Sequence, residues 1–376
     1  MSNIGLLKLA LRRILLVALF WFVPAIGAAS DSGSPDFEVT VQQGDTLTSL
    51  GKRWLAEPKR WPELQRRNKI KNPHLLIPGS TIAIPVSLLR DALTDVTIRS
   101  VSGQARRADG TPVATGDRLR EGATIKTAED GYVTIQLVDG STLRLQSRSQ
   151  LTIERARRLP GSDATETRFQ MPAGQAEVQF KPAAPKASRF EIRTGFASAA
   201  VRGTEFRVGT GEHGTRTEVT EGTIAFAGLP PNAGPAAPSE FVAIPEGFGS
   251  IVDESRKPIA PVRLLAAPAL PQEPVFQQAP TLRLSFPPLE GAVNYRARLA
   301  ADADFLRMVG ETVLSQPEAS FSGLAAGSYV LKVRAIDKYG LEGRDAISLI
   351  GILPDNPPAL LKRVLIESTP APARGH

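Results

Sequence analysis

The sequence predicts a multidomain, mainly β protein that begins with a small βααβ module. Alternating Val, Ile and Leu residues, broken by Asp-Gly, Glu-Gly and Pro-Gly steps, run through residues 94–252, and a further alternating stretch covers 275–352. Alternation between turn dipeptides is typical of half-buried antiparallel strands. Residues 37–86 differ, because two short helical patterns lie between two strand-like runs. With 376 residues, including 31 Pro and 32 Gly, the chain is too long for one ordinary core and rich in turns.

Residues 1–29 are predicted to be a signal peptide. Three basic residues precede an apolar run over residues 14–23, and small residues follow at 27–29, the spacing that signal peptidase prefers. An uncleaved N-terminal anchor is the alternative, but the apolar run is short for a bilayer span and Pro24 interrupts it. Because the chain has no cysteine, it cannot carry the N-terminal lipid of a lipoprotein. We therefore expect an exported protein of the periplasm or cell envelope.

The charge balance predicts a weak attraction to acidic polymers and no nucleic-acid partner. The formal net charge is +7, and cleavage after residue 29 would remove three cations and no acidic residue, leaving +4. The basic cluster of Arg155, Arg157 and Arg158 is short and has no interleaved aromatic residues, so we interpret it as a solvated loop. With no Cys and three His, neither a structural zinc site nor thiol chemistry is expected, and no cofactor is predicted.

Residues 37–86 carry the motifs of a known module. A strand-like run leads into Gly-Asp-Thr-Leu at residues 37–47 (FEVTVQQGDTL), and Asn68 and residues 72–85 (NPHLLIPGSTIAIP) form the second half. This pattern resembles the LysM (lysin motif) family over nearly the whole module. The resemblance implies a βααβ fold that binds the N-acetylglucosamine units of peptidoglycan. The middle of the module departs from the family in being rich in Arg and Lys, which makes its surface basic.

Local chemistry supports a helix after the Gly-Asp-Thr-Leu turn. The side-chain oxygen of Asp45 or of Thr46 can cap this helix. Leu47, Leu50 and Trp54 recur at helical spacing and are expected to face the core. We therefore expect Trp54 to be a core residue and not a platform for sugar stacking.

The resemblance implies a shallow glycan-binding groove between the loop after the first strand and the loop before the last. Its two sides would be lined by seven residues: Gly44, Asp45, Thr46 and Leu47, facing Leu75, Ile77 and Pro78. The same residues could instead only form the turns. We favour that alternative for Gly44 and Gly79, and ligand contact for Thr46 and Ile77. Binding by one module is expected to be weak, since each polar contact contributes about 0.5–1.5 kcal/mol.

Residues 94–252 contain a second set of motifs. They are 131–141 (GYVTIQLVDGS), 190–194 (FEIRT), 199–208 (AAVRGTEFRV) and 219–224 (VTEGTI). These motifs resemble the FecR family, named for a periplasmic ferric-citrate signalling protein. The resemblance implies a β-rich, solenoid-like or sandwich-like domain that contacts other proteins. FecR signalling proteins also carry a cytoplasmic sigma-factor-holding segment and a membrane span; because this chain has a signal peptide and a LysM module instead, direct transcriptional signalling is not expected. We interpret Arg202 and Glu205 as holding a tight corner, with a ligand site as the alternative.

The remainder is predicted to be a linker, a third β unit and a tail. Residues 253–274 contain five prolines and are predicted to be a semi-rigid linker. Residues 275–352 resemble a fibronectin type III sandwich, carried by 282–286 (LRLSF) and 327–337 (GSYVLKVRAID). Such a unit is expected to space domains or contact proteins. The Pro-rich tail, 353–376, is predicted to be disordered.

No catalytic motif is recognisable, so we do not predict an enzyme. The sequence contains no Cys nucleophile, His-rich metal motif or phosphate-binding loop. A glycosidase needs two carboxylates in one groove, and no motif pairs the acidic residues. Three hypotheses follow: a peptidoglycan-binding adaptor for unidentified envelope proteins, a sensor subunit acting with a membrane regulator or receptor, and a cell-wall hydrolase with an unrecognised site. We favour the adaptor, for lack of a transmembrane output.

Overall fold

The structure is a computed structural model that describes residues 36–90, 92–158, 164–181, 188–201, 203–231 and 240–354. The predicted signal peptide, Arg202 and residues 355–376 of the predicted tail lie outside this part of the chain. Strands predominate and the two α-helices lie near the start, which confirms the multidomain, mainly β prediction. Within the described residues, none of the helices has the length and apolar character needed to cross a bilayer.

The first unit is a two-stranded sheet with two short α-helices. Its elements are β1 (Asp36–Thr40), α1 (Leu47–Trp54), a 3-10 turn at Pro58–Arg60, α2 (Trp61–Arg67) and β2 (Thr81–Pro85). β1 and β2 pair antiparallel, with Val39 opposite Ile82. This is the predicted βααβ order.

The core of the first unit contains the apolar residues that the helical and strand periodicities predict to be buried: Leu47, Leu50, Ile82 and Ile84. Trp54 is half-buried, and its ring lies 5.3 Å from that of Phe37 between centroids. Asn68 joins α2 to β2, because its Nδ2 donates to the carbonyl of Ala83 (2.8 Å) and its Oδ1 accepts from the same residue's N–H (2.7 Å). Asn68 therefore has a structural role.

The second unit is built entirely from β strands. In chain order these are β3 (Ala92–Leu93), β4 (Val96–Ser102), β5 (Ala105–Arg107), β6 (Arg118–Leu119), β7 (Thr124–Thr127), β8 (Tyr132–Gln136), β9 (Thr142–Leu145), β10 (Gln150–Arg158), β11 (Thr165–Phe180), β12 (Arg189–Arg193), β13 (Ala197–Val201), β14 (Thr204–Gly211), β15 (Gly214–Glu221), β16 (Thr223–Gly228), β17 (Val242–Pro245), β18 (Phe248–Val252) and β19 (Val262–Arg263).

Hydrogen bonds connect all 17 strands, which fold into two linked sheets around one apolar core. The long strand β11 belongs to both: its first half pairs with β10 and with β12, and its second half pairs with β9 and with β14. The strand changes sheets near Gly174, whose φ is +101° and where a Cβ would lie 2.1 Å from Ser149 Oγ. Glycine is thus required at this crossover on both conformational and steric grounds.

The third unit also consists of two sheets. Its strands are β20 (Val275–Gln278), β21 (Leu282–Ser285), β22 (Asn294–Ala300), β23 (Met308–Leu314), β24 (Glu318–Phe321), β25 (Gly327–Ile336) and β26 (Ala346–Leu353). Five strands lie in the order β20-β26-β25-β22-β23, and β21 pairs with β24. Leu282, on the small sheet, and Leu331, on the large one, belong to the same core.

The predicted linker, 253–274, is packed against the flanking units and does not span open space. β19 pairs with β18, and Leu264 and Leu270 are buried, the latter in the core of the third unit. The Arg344 N–H also donates to the carbonyl of Leu265. Prolines remove backbone donors, but they leave the leucine side chains between them able to bury apolar surface. The segment therefore helps to join the second and third units.

Candidate functional site

Backbone hydrogen bonds bring the two sides of the predicted groove together. The Leu47 N–H, at the start of α1, donates to the carbonyl of Pro73 in the loop before β2 (2.9 Å). The Gly79 N–H donates to the carbonyl of Val41 (2.9 Å). Gly44 and Gly79 have φ values of +86° and +84°, in the left-handed region that favours glycine. Both glycines thus fit the turn-forming role favoured from the sequence.

The polar side chains of the first loop are occupied by bonds within the module. Asp45 is buried, and its carboxylate accepts from the Gln42 N–H (2.9 Å) and from Arg53 Nη2 (3.0 Å). Thr46 is the N-cap of α1, because its Oγ1 accepts from the Ser49 N–H at 3.0 Å. Ser49 Oγ in turn accepts from the Thr46 N–H at 2.9 Å, which completes a capping box. Of the two residues proposed to cap α1, Asp45 and Thr46, it is therefore Thr46 that forms the cap.

The exposed part of the groove is mainly apolar. Leu75 and Ile77 are 74% and 75% exposed, and Pro78 beside them is also exposed. Leu76, between the first two, is buried and anchors the loop in the core. Leu47 is fully buried, and its N–H is bonded to Pro73, so this residue shapes the groove without being accessible to a ligand. The exposed side chains of the predicted groove are thus those of the second loop: Leu75, Ile77 and Pro78.

The capping role of Thr46 leads to a stability prediction. We expect Thr46→Ala to lower the free energy of unfolding of the first unit by about 1 kcal/mol, because the Ser49 N–H loses its acceptor. In residues 30–376, tryptophan occurs at positions 54 and 61, so tryptophan fluorescence in a urea titration follows this unit. Thr46→Ser keeps the oxygen and is the matched control. An alanine variant that unfolds at the wild-type urea concentration but binds glycan more weakly would instead assign Thr46 to the ligand.

The basic cluster that the sequence suggests as a solvated loop lies on strand β10, so that interpretation is wrong. Ile153 and Ala156 anchor this strand in the core and turn Arg155 and Arg157 outward. These arginines pair with Glu166 (2.8 Å) and Glu121 (2.7 Å). They line a groove of about 690 Å3 in which Arg168 and Arg193 both pair with Glu191. Carboxylates thus offset the positive charge of this face.

A buried group of ion pairs joins the second and third units, and we call it the interface network. It comprises Glu177, Arg207, Arg216 and Glu218 from the second unit, and Arg296, Arg298, Glu311, Lys332, Arg334, Glu342 and Asp345 from the third. Arg334 Nη2 lies 2.5 Å from Glu177 Oε1, and Arg216 Nη2 lies 2.8 Å from Glu342 Oε1. Arg207 Nη1 also donates to the carbonyls of Glu342 (3.0 Å) and Gly343 (2.9 Å). No sequence motif indicated these residues.

Burial and neighbouring positive charges shift the pKa values of the network's carboxylates in opposite directions. Burial raises the pKa of Glu177, but Arg334 and Arg298 outweigh it and hold the pKa well below its usual value. The same competition, with Arg216 as the largest opposing charge, leaves the pKa of Glu342 well below its usual value. For Glu218 burial prevails over Arg216, and its pKa is raised. A buried carboxylate stays ionised only where arginines compensate for the lost hydration.

Two carboxylates of this network lie close together, but they cannot meet a glycan. Glu218 and Glu342 both contact Arg216, at 2.5 and 2.8 Å, and both are at most 1% exposed. Glycoside hydrolysis needs its two carboxylates on either side of an accessible sugar bond. In the described part of the chain, no group of three or more acidic or histidine side chains is arranged to hold a metal.

Comparison with protein-family models identifies two domains in this chain. Residues 39–85 match the LysM domain and residues 123–225 match the FecR protein family. Both matches lie inside the ranges predicted for these units. LysM domains bind N-acetylglucosamine-containing glycans such as peptidoglycan, and FecR proteins work with other envelope proteins, so both domains indicate an extracytoplasmic protein. The fibronectin type III resemblance of the third unit stays a prediction. No curated protein matches the chain.

Several solved structures resemble parts of the chain. Two crystal structures of a candidate anti-sigma factor from Parabacteroides distasonis ATCC 8503 match at 16% and 15% identity, over 37% and 41% of this chain and 59% and 77% of theirs, each with a TM-score of 0.29. The extracellular domain of the one component system BT4673 from B. thetaiotaomicron matches at 12% identity, over 61% of this chain and 36% of that one, with a TM-score of 0.19. The chain thus spans about three fifths of the first structure.

Proposed function

We propose that this chain is a non-catalytic, peptidoglycan-binding protein of the periplasm. In this proposal the LysM domain, within residues 37–86, attaches the protein to the glycan strands. The FecR-type unit (94–252) and the third unit (275–352) then present surfaces to other envelope proteins. The segment 1–29 directs export and is cleaved.

The observation that carries the proposal is the exposure of the apolar loop beside the start of α1. Leu75 and Ile77 are each about three-quarters exposed, although the core of the same unit is well formed. A pair of exposed apolar side chains suits the apolar faces of an acetylated sugar. Because such a groove is shallow, we expect retention to depend on the high density of glycan in the wall.

The interface network supports the second half of the proposal. Eleven charged side chains lie between the second and third units, which restricts independent movement of the two. A partner protein would therefore contact one continuous β surface formed by both units, and not two units that move independently. Such an arrangement suits an adaptor whose binding surfaces must keep a fixed spacing.

The FecR match favours a second candidate function, that of an envelope signal-sensing subunit. FecR proteins are associated with signal transduction across the envelope. In this alternative the same tethered chain would pass a signal to a membrane regulator or receptor. Co-purification from crosslinked cells separates the two candidates: a membrane regulator among the recovered partners supports the sensor, and partners confined to wall proteins support the adaptor.

The groove proposal is tested by alanine substitutions in the exposed loop. We expect Leu75→Ala/Ile77→Ala to weaken binding of residues 30–376 to insoluble peptidoglycan by about ten-fold or more. Truncating the two side chains removes most of the exposed apolar contact area, at about 25 cal/mol per Å². The measurement is the protein left in the supernatant after sedimentation with increasing amounts of peptidoglycan.

A matched control is available in the third unit. Ile347 and Leu349 are each 52% exposed and lie far along the chain from the groove. Ile347→Ala/Leu349→Ala removes the same kind of surface and is expected to leave sedimentation unchanged. Equal losses in the two double variants, or no loss in either, would count against the groove.

A further inference from the structure

The positive charge of the predicted mature chain is concentrated in the first unit. Residues 37–86 contain eight Lys and Arg and four Asp and Glu, a net charge of +4. This equals the whole net charge of residues 30–376, so the rest of that chain is neutral overall. A concentrated charge on one small unit attracts polymers of opposite sign and raises their rate of association.

Several of these cations have no acidic partner. Three arginines of the unit form ion pairs: Arg53 with Asp45, Arg60 with Glu63 and Arg67 with Asp36. Five further cations are exposed and form no ion pair within the described residues: Lys52, Lys59, Arg66, Lys69 and Lys71. Their charge is therefore available to a ligand.

Two of the unpaired cations lie on the segment that carries the exposed side of the groove. Lys69 and Lys71 immediately precede the loop of Leu75 and Ile77. Hydrogen bonds fix the start of this segment, since the Ile70 N–H donates to the carbonyl of Gln65 (3.0 Å) and Gln65 Nε2 donates back to the carbonyl of Ile70 (3.1 Å). The Leu75 N–H donates to the Asn72 carbonyl (3.3 Å), and Pro73 contacts the start of α1. Lys71 is thus two residues from Pro73, which contacts the first side of the groove, and Lys69 is two residues further back on the same segment.

The backbone of Lys69 adds a second observation. Its φ is +52°, in the left-handed region where glycine is unstrained and a lysine side chain is disfavoured. This conformation follows the end of α2, a position that glycine commonly occupies. A strained residue beside a candidate site motivates a hypothesis of function for its side chain.

We propose that Lys69 and Lys71 bind the carboxylates of peptidoglycan, so that the unit prefers acidic peptidoglycan to neutral N-acetylglucosamine polymers. This inference rests on the proposed glycan groove. Peptidoglycan carries carboxylates close to its sugars, both on the peptide stems and, where stems are removed, on the lactyl groups. The ammonium group of a lysine sits at the end of a flexible side chain, so it can pair with carboxylates in varied positions. This suits a ligand whose stem peptides are mobile. The adjacent apolar loop favours a sugar-bearing polyanion over nucleic acid.

The test compares three ligands with one charge-altered variant. Residues 30–376, wild type and Lys69→Gln/Lys71→Gln, are titrated with intact peptidoglycan, with the same peptidoglycan stripped of its stems by an amidase, and with a chitin oligosaccharide. We expect the variant to bind intact peptidoglycan about three- to ten-fold more weakly at low salt, since an exposed charge pair contributes about 0.2–1 kcal/mol. The difference should shrink as salt rises, because exposed charges are screened. Chitin binding should be equal in the two proteins.

The stripped peptidoglycan identifies the source of the carboxylate. Loss of the lysine effect on removing the stems assigns the contact to the carboxylates of the stem peptides, whereas a retained effect means that the lactyl carboxylates freed by the amidase can take their place. Lys69→Gly, which relieves the left-handed backbone, should keep the first unit at least as stable while still weakening binding. Lys126→Gln/Lys257→Gln removes two exposed lysines, one from the second unit and one from the segment after it, that form no ion pair with the residues the structure describes, and should leave binding unchanged.

Two results would overturn the inference while leaving the groove intact. One is equal binding of wild type and Lys69→Gln/Lys71→Gln to intact peptidoglycan at every salt concentration. The other is a lysine-dependent affinity for double-stranded DNA that exceeds the affinity for peptidoglycan. If wild-type protein binds neither chitin nor peptidoglycan, the proposed function itself fails, so the two failures are distinguishable.

Discussion

Replacing Arg334 with methionine should lower the free energy of unfolding of the joined second and third units by about 3–5 kcal/mol. Arg334 is 2% exposed and contacts Glu177 at 2.5 Å, Glu342 at 3.1 Å and Asp345. Methionine fills most of the volume but leaves Glu177 and Asp345 without their main counter-charge, and Glu342 with one arginine fewer. Their pKa values should rise, and part of the lost stability should appear as uptake of protons on folding.

The measurement is a urea titration followed by far-ultraviolet circular dichroism, which reports mainly the β units. Arg283 provides the matched control, because its ion pair with Glu318 (3.5 Å) lies on the surface of the same unit. Arg283→Met should cost less than about 1 kcal/mol, as exposed pairs do. A loss for Arg334→Met as small as that of the control would mean that the interface network does not join the two units.

Replacing Phe190 with alanine should destabilise the FecR-type unit by a comparable amount, about 3–5 kcal/mol. Phe190 is 1% exposed, and its ring lies among three others: 5.7 Å from Phe169, 5.2 Å from Phe180 and 6.2 Å from Phe206. These rings come from strands β11, β12 and β14, so the cavity would open where the two sheets meet around β11. The surrounding strands are too constrained by their ladders to collapse into it.

The same urea titration measures this loss, with Phe241→Ala as the comparison. Phe241 is 44% exposed, and its truncation should change the free energy of unfolding by less than about 0.5 kcal/mol. Tryptophan fluorescence, which follows the first unit, should shift less than circular dichroism in Phe190→Ala. A Phe190→Ala protein as stable as Phe241→Ala would refute the assignment of this aromatic cluster as the centre of the core.

Local features of the sequence predict the first unit well. Its helices, strands and cap arise from interactions between residues a few positions apart, such as Thr46 with Ser49. Which residues remain accessible in the groove is harder to predict, because exposure depends on the whole unit. Asp45 and Leu47 look available in a loop motif, yet one is bonded to Arg53 and the other is fully buried.

Alternation predicts which strand residues share a face but not what covers that face. In β25, Lys332 and Arg334 alternate with the core residues Leu331 and Val333, so the sequence pattern places the cations on the outer face. In the structure this outer face meets the second unit, and Arg334 is buried against Glu177. The pairing joins residues 157 positions apart, a separation across which single-sequence periodicity carries no signal.

Non-local strand pairing limits the prediction of the second unit in the same way. Hairpins such as β14–β15 follow from alternation and turn residues, whereas the parallel pairing of β11 with β12 and the passage of β11 between two sheets do not. The same limit explains why the sequence predicts a linker at residues 253–274, because the burial of Leu264 and Leu270 depends on the folded units on either side.

We propose that the first unit holds the chain on peptidoglycan without cleaving it. The most direct test is to incubate residues 30–376 with insoluble peptidoglycan, sediment the mixture and measure both the pelleted protein and the muropeptides released into the supernatant. A variant lacking residues 37–86 is treated in parallel. We predict that the full protein pellets, the deletion variant stays in the supernatant and no muropeptides appear. Full-length protein that stays in the supernatant would contradict the tether, and released muropeptides would contradict a non-catalytic role.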